Sequence, residues 1–67
     1  MRKFCMTANV IKSYTQSGRT WTYSEQVPAY FFRAASQQDA EEMAQAIVRF
    51  NHTDRPQDEI HTCVVEI

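Results

Sequence analysis

Between Ser36 and Phe50 the chain reads SQQDAEEMAQAIVRF, its one long stretch with helical periodicity, and this stretch constrains everything around it. Ala40, Met43, Ala44 and Ile47 recur at i, i+3, i+4 and i+7, which predicts one apolar helix face. Gln38, Glu41, Glu42, Gln45 and Arg49 fall on the opposite side. Ser36 is placed to cap the first turn, and Asp39 three residues later completes a capping box. Asp39, Glu41 and Glu42 lie at the positive end of the helix dipole, and Arg49 and His52 lie near the negative end. The helix is expected to end near Asn51, a residue tolerant of left-handed backbone, with Pro56 barring continuation.

One amphipathic helix needs a surface to cover, and the flanking segments read as strands. From Lys3 to Tyr14, Phe4, Met6, Ala8 and Val10 alternate with Cys5, Thr7 and Asn9. The alternation blurs at Val10-Ile11, as it does at a bulge or in a strand buried on both faces. Thr15 to Arg19 forms the turn around Gly18, the only glycine, where a hairpin loop needs positive φ. Thr20 to Val27 returns, with Trp21, Tyr23 and Val27 sharing a face. Pro28 cannot donate to a ladder, so it belongs at a sheet edge or a bulge. Ala29 to Arg33 resumes extended structure. After the helix, Glu59 to Ile67 places Ile60, Thr62 and Val64 on one face and His61, Cys63, Val65 and Ile67 on the other. These elements predict a single α+β domain over residues 1–67, of ββαβ order. Its sheet is three-stranded and antiparallel with the first strand central, and one helix covers one face through a right-handed crossover. A chain of 67 residues builds only a thin core, worth about 3–5 kcal/mol net.

Hydrophobic residues make up 43% of the chain, enough to fold rather than stay disordered. No apolar run approaches the roughly 18 residues of a membrane span. Met1-Arg2-Lys3 has no apolar stretch behind it, so no signal peptide is expected. A cytoplasmic location and reduced thiols at Cys5 and Cys63 follow as expectations. The net charge of −1 argues against duplex DNA or an anionic membrane as partner.

Catalysis and metal chemistry find little support. Cys5, His52, His61 and Cys63 lack the C-x₂-C or H-x₃₋₅-H spacing of zinc sites, so no metal or cofactor is expected. A Cys5–Cys63 bridge would require the first and third strands to pair and an oxidising compartment. Glu41 and Glu42 are helix neighbours pointing about 100° apart, a poor acid–base pair. There is no nucleophile elbow and no glycine-rich loop. No catalytic residue is therefore assigned, and a non-enzymatic protein is expected. Asn51-His52-Thr53 matches the glycosylation acceptor pattern, which acquires meaning only on export.

Aromatic residues point instead to an interface. Tyr30, Phe31 and Phe32 are consecutive, so at least one must face outward in an extended segment. Exposed aromatic clusters mark contact surfaces. Trp21, Tyr23, Tyr30, Phe31 and Arg33 form the candidate interface, with Arg2, Lys3, Lys12 and Arg19 as further cations. Sheet aromatics can stack on single-stranded bases, but the negative net charge favours a protein partner. If the second strand is an edge, its groups from Thr20 to Ser24 are free to pair with a second copy, and a homodimer is expected.

The run Val27-Pro28-Ala29-Tyr30, followed by Ala35-Ser36-Gln37-Gln38-Asp39-Ala40-Glu41-Glu42-Met43-Ala44, resembles small accessory proteins of phages, prophages and conjugative elements. One such group is the strand-strand-helix-strand phage inhibitors of host RNA polymerase, with a comparable Val-Pro-x-Tyr before the helix. Another is the DpnD/PcfM-like mobile-element proteins. The likeness covers roughly the middle third of the chain. This chain departs from the polymerase inhibitors by the extra Phe31-Phe32-Arg33 and by a longer hairpin, so no binding residue is carried over. The resemblance implies a class, a protein that acts by occupying a surface of a host protein and inhibiting a host or defence machine.

Overall fold

A computed structural model describes residues 1–67. Two long strands, β1 (Arg2–Gln16) and β2 (Arg19–Ala34), form a hairpin; α1 (Gln37–His52) and β3 (Glu59–Glu66) follow. The sheet order is β2-β1-β3, and both outer strands run antiparallel to β1. The fold is thus α+β with the first strand central. The alternation in β1 explains this, because Phe4, Met6, Ala8 and Val10 are all buried beneath the helix. The ladder passes Val10-Ile11 without a break, and Ile11 is half-buried on the other face. The blurred alternation there reflects a central strand carrying apolar groups on both sides.

The hairpin closes on two residues rather than the expected five. Gln16 pairs with Arg19 and Thr15 with Thr20, leaving Ser17 (φ 53°) and Gly18 (φ 76°) as the loop. Positive φ at both positions gives the turn whose twist matches that of the flanking strands. Further along, Met6 pairs with Tyr30 but Ala8 pairs with Val27, so Pro28 and Ala29 together face Thr7. This is a bulge on an edge strand, and both settings open to a strand proline apply to Pro28. The extra residue shifts the alternation of β2. Trp21, Tyr23 and Val27 lie on the helix side, and so do Tyr30, Phe32 and Ala34. Phe31 and Arg33 lie on the bare side.

Ser36 Oγ accepts a hydrogen bond from the Asp39 amide at 3.2 Å, and the Ser36 carbonyl accepts one from Ala40 at 2.9 Å, so the helix starts as its cap residue dictates. Its buried stripe is Ala40, Ala44 and Val48. The expected face is therefore rotated. Met43 is 39% exposed and Ile47 is half-buried at the rim. The two alanines let the helix sit close on a narrow sheet, and one i, i+4, i+8 stripe covers it. The C-terminus also differs from expectation. The helix runs to His52 and stops at Thr53 in extended backbone (φ −128°), without a left-handed residue. Asn51 Nδ2 donates to the Ile47 carbonyl at 2.8 Å and Thr53 Oγ1 to the Arg49 carbonyl at 2.9 Å, so side chains of the last turn fold back onto the helix and Thr53 serves one of its terminal carbonyls.

Two buried clusters form the core under the helix: Met6, Ala8, Val10, Val27, Ala44 and Val48, then Phe4, Ala34 and Ala40. The helix is tied to β3 by Gln37 Nε2, which donates to the Val64 carbonyl at 3.0 Å, and by Gln45 Nε2, which donates to Thr62 Oγ1 at 3.2 Å. The hairpin runs beyond the end of the helix, which stretches the molecule to 50 × 17 × 16 Å. No helix is long and apolar enough to cross a membrane.

Candidate functional site

The five candidate interface residues do not share one surface. The register divides them between the two faces of the sheet, with Tyr30 largely absorbed into the fold.

On the bare face, Phe31 stands 71% exposed opposite Cys5, and Cys5 in turn faces Val65. Arg33 lies opposite Lys3. The Lys3 carbonyl accepts a hydrogen bond from the Ile67 amide at 2.9 Å, which lays the exposed Ile67 beside them. Lys3, Phe31, Arg33 and Ile67 border a shallow hollow of about 410 Å³ at this end of the sheet. Neither Lys3 nor Arg33 has an acidic partner; the ion pairs of the chain are Arg2–Glu66, Lys12–Glu25, Arg55–Asp58 and His61–Glu59. Arg2 is committed on the other face, where its Nε donates to Glu66 at 2.9 Å and its guanidinium lies over the Phe4 ring. That hydrogen bond holds the Glu66 carboxyl below its ordinary range and raises Arg2. The bare end therefore offers exposed apolar and aromatic surface with two uncommitted cations.

On the helix side, beyond the end of α1, Trp21 and Tyr23 stack on Tyr14. The ring centroids are 6.3 Å and 5.5 Å apart, and the Tyr14 and Tyr23 rings are nearly parallel at 5°. The two tyrosine hydroxyls are 3.0 Å apart. Arg55, from the loop after the helix, lies over the Tyr14 ring at 4.3 Å from its centroid. The Tyr23 phenol is pushed up to about 12, first by its hydrogen bond with Tyr14 and then by burial, both of which favour the neutral form. Trp21 remains 47% exposed and Tyr23 41%. Tyr14 is a member that the sequence reading passed over. Counting back from a two-residue Ser17-Gly18 turn places Tyr14 opposite Trp21, and that signal was available.

Tyr30 packs against the core, its hydroxyl 3.3 Å from His52 Nε2. Cys5 and Cys63 are both free, on the bare face, with Cys5 opposite Val65 and Cys63 opposite Thr7, two ladder positions apart. His61 lies on that face as well, whereas His52 is at the helix end on the other side. The set considered for zinc is thus divided by the sheet, and no group of three His, Cys, Asp or Glu side chains is arranged to hold a metal ion. No family model, curated protein or solved structure matches the chain.

Proposed function

We propose that the chain is a non-enzymatic binding protein, of the phage or mobile-element accessory kind, that occupies a surface of a host protein with the bare face of its sheet. The observation that carries this is Phe31, a large aromatic left 71% exposed on a sheet face that no other element covers, one row along from the Lys3–Arg33 pair. An exposed aromatic beside an uncommitted arginine has the composition of interface centres, and Lys3 adds positive charge at the rim. The complementary partner carries an apolar pocket rimmed by carboxylates. Purification of the tagged protein from host lysate tests the proposal, with Phe31→Ala and Arg33→Glu as loss variants. Phe50→Ala serves as control, because Phe50 is exposed on the helix. A stoichiometric partner lost with Phe31→Ala and kept with Phe50→Ala supports it. No stoichiometric partner at any salt concentration counts against it.

Single-stranded nucleic acid is a second reading, and the same Phe31, Lys3 and Arg33 favour it, since a sheet aromatic can stack a base while cations meet phosphates. It requires oligonucleotide affinity that falls steeply with salt. The net charge of −1 ranks it below a protein partner.

A further inference from the structure

We propose that the chain forms a two-fold symmetric dimer in which the outer part of β2 pairs antiparallel with the same segment of a second copy, with Thr22 on the axis. This interface is separate from the bare face and uses the opposite end of the molecule.

Backbone geometry comes first. In a two-residue hairpin the residues closing the turn, Gln16 and Arg19, form a hydrogen-bonded pair. By alternation, Trp21, Tyr23 and Glu25 also bond inward to β1. The amides and carbonyls of Thr20, Thr22, Ser24 and Gln26 then point outward from an edge strand. Pro28, without an N–H and at the bulge, ends this free run on one side, and the Ser17-Gly18 turn ends it on the other. The opposite edge is less available, because β3 has only eight residues and Gln37 already occupies the Val64 carbonyl.

Side chains then select the register. With Thr22 on the axis, Thr22 meets itself and Thr20 meets Ser24, so outward backbone groups meet outward groups. Between them Trp21 faces Tyr23 of the second copy and Arg19 faces its Glu25, each pair occurring twice. Arg19 has no ion pair within the monomer, and Glu25 engages Lys12 through one oxygen, Oε2, at 3.5 Å. Placing the axis on Tyr23 sets Trp21 against Glu25 and Arg19 against Val27. Placing it on Trp21 sets Arg19 against Tyr23 and carries Glu25 past the turn. Only the Thr22 axis joins opposite charges and aromatics together. An axis perpendicular to the sheet keeps both aromatic groups on one side, where Trp21 and Tyr23 have surface left to bury. The helices lie toward the far ends of the two hairpins and do not obstruct the pairing. A two-fold contact also closes without propagating into a filament.

Cysteine scanning tests the register. Thr20→Cys, Thr22→Cys and Ser24→Cys are each made with Cys5→Ser and Cys63→Ser and oxidised with copper phenanthroline. Thr22→Cys alone should give a covalent dimer, because facing residues in a hydrogen-bonded pair lie about 5.5 Å apart at Cα, inside disulfide range. Bridging at position 20 or 24 instead, equally at all three, or at none overturns the proposal. Sedimentation equilibrium tests the charges. Arg19→Glu should weaken the dimer by about tenfold or more, and the double variant Arg19→Glu/Glu25→Arg should restore it. A wild type that is monomeric at every concentration, or a double variant as weak as the single, overturns it. Phe31→Ala leaves this dimer intact, so loss of the bare-face partner and loss of the dimer are separable results.

Discussion

From Phe4 to Val10 the central strand lies under a helix, and from Lys12 to Gln16 it does not. Within the covered half, side chains are sealed: Phe4, Met6, Val10 and Val48 are fully buried. In the uncovered half, Trp21 and Tyr23 stack on Tyr14 and stay partly open to water, and Arg55 reaches over the Tyr14 ring from the helix–β3 loop. The two halves share one backbone ladder but differ in how they are stabilised. Burial yields several kcal/mol per large side chain, whereas cross-strand and aromatic pairs yield about 0.2–1.5 kcal/mol each. The covered half therefore sets global stability, and the hairpin end is the part that opens first.

Four substitutions probe that contrast. Phe4→Ala removes a fully buried ring and should cost about 3–5 kcal/mol, which matches the whole net stability of so small a domain. Circular dichroism should show no cooperative melting transition; an unchanged melting temperature would place the stability elsewhere. Arg55→Ala cuts the link between the halves. It leaves the Asp58 carboxylate, buried and with Oδ2 already without a partner, without its cation at 3.0 Å. The expected cost is about 3 kcal/mol in urea denaturation, the low end for breaking a buried pair. A change indistinguishable from zero would mean that the hairpin end stands without the loop.

In the monomer, Trp21→Ala should cost only about 1 kcal/mol, since its ring is half exposed there. Amide exchange should quicken between Ser13 and Thr22 while the amides of β1 beneath the helix stay protected. Uniform acceleration would show that the two halves open as one. Tyr14→Phe has the smallest effect and is read by phenolate absorbance. The folded-state value for Tyr23, about 12, lies above the ordinary value of 10.0, so its contribution to stability is complete below pH 10 and is lost as pH rises toward 12. Removing the Tyr14 hydroxyl should return the Tyr23 titration toward the ordinary value. If the titration stays put, the hydrogen bond is not what holds it up.

Element order was legible in the sequence because each boundary carries its own chemistry. Gly18 marks the turn, Pro28 the edge, and Ser36 the helix start. The helix face was harder to read because two patterns coexist. Ala40 and Ala44 fit both the stripe through Met43 and Ile47 and the stripe through Val48, and only the width of the sheet decides between them. The candidate interface was read as one patch because Tyr30 and Phe31 adjoin in sequence, whereas extended neighbours face opposite ways. The split became visible only through strand register, which also brought in Tyr14. The uncommitted state of Lys3 and Arg33 depends on where each acidic residue ends up, and no local pattern encodes it.

The two residues that face Thr7 give the chain an unusual sensitivity to length. Pro28-Ala29 acts as a phase shift between two stretches of one strand, much as an inserted base shifts a reading frame. Removing one of the two would restore one-to-one pairing and leave every face as it is, whereas removing both would set Tyr30 opposite Thr7 and invert everything between there and the helix. Phe31 and Arg33 would turn inward beneath α1, while Tyr30, Phe32 and Ala34 would turn out to solvent. A guanidinium would then occupy the space that Ala34 now fills against Phe4 and Ala40. Replacement of Pro28 by alanine, or deletion of Ala29 alone, is thus expected to leave a folded chain, and deletion of Pro28 and Ala29 together an unfolded one, as circular dichroism would show. At this point of the polypeptide, the fold depends on keeping at least one residue between Val27 and Tyr30 more than on which residue it is.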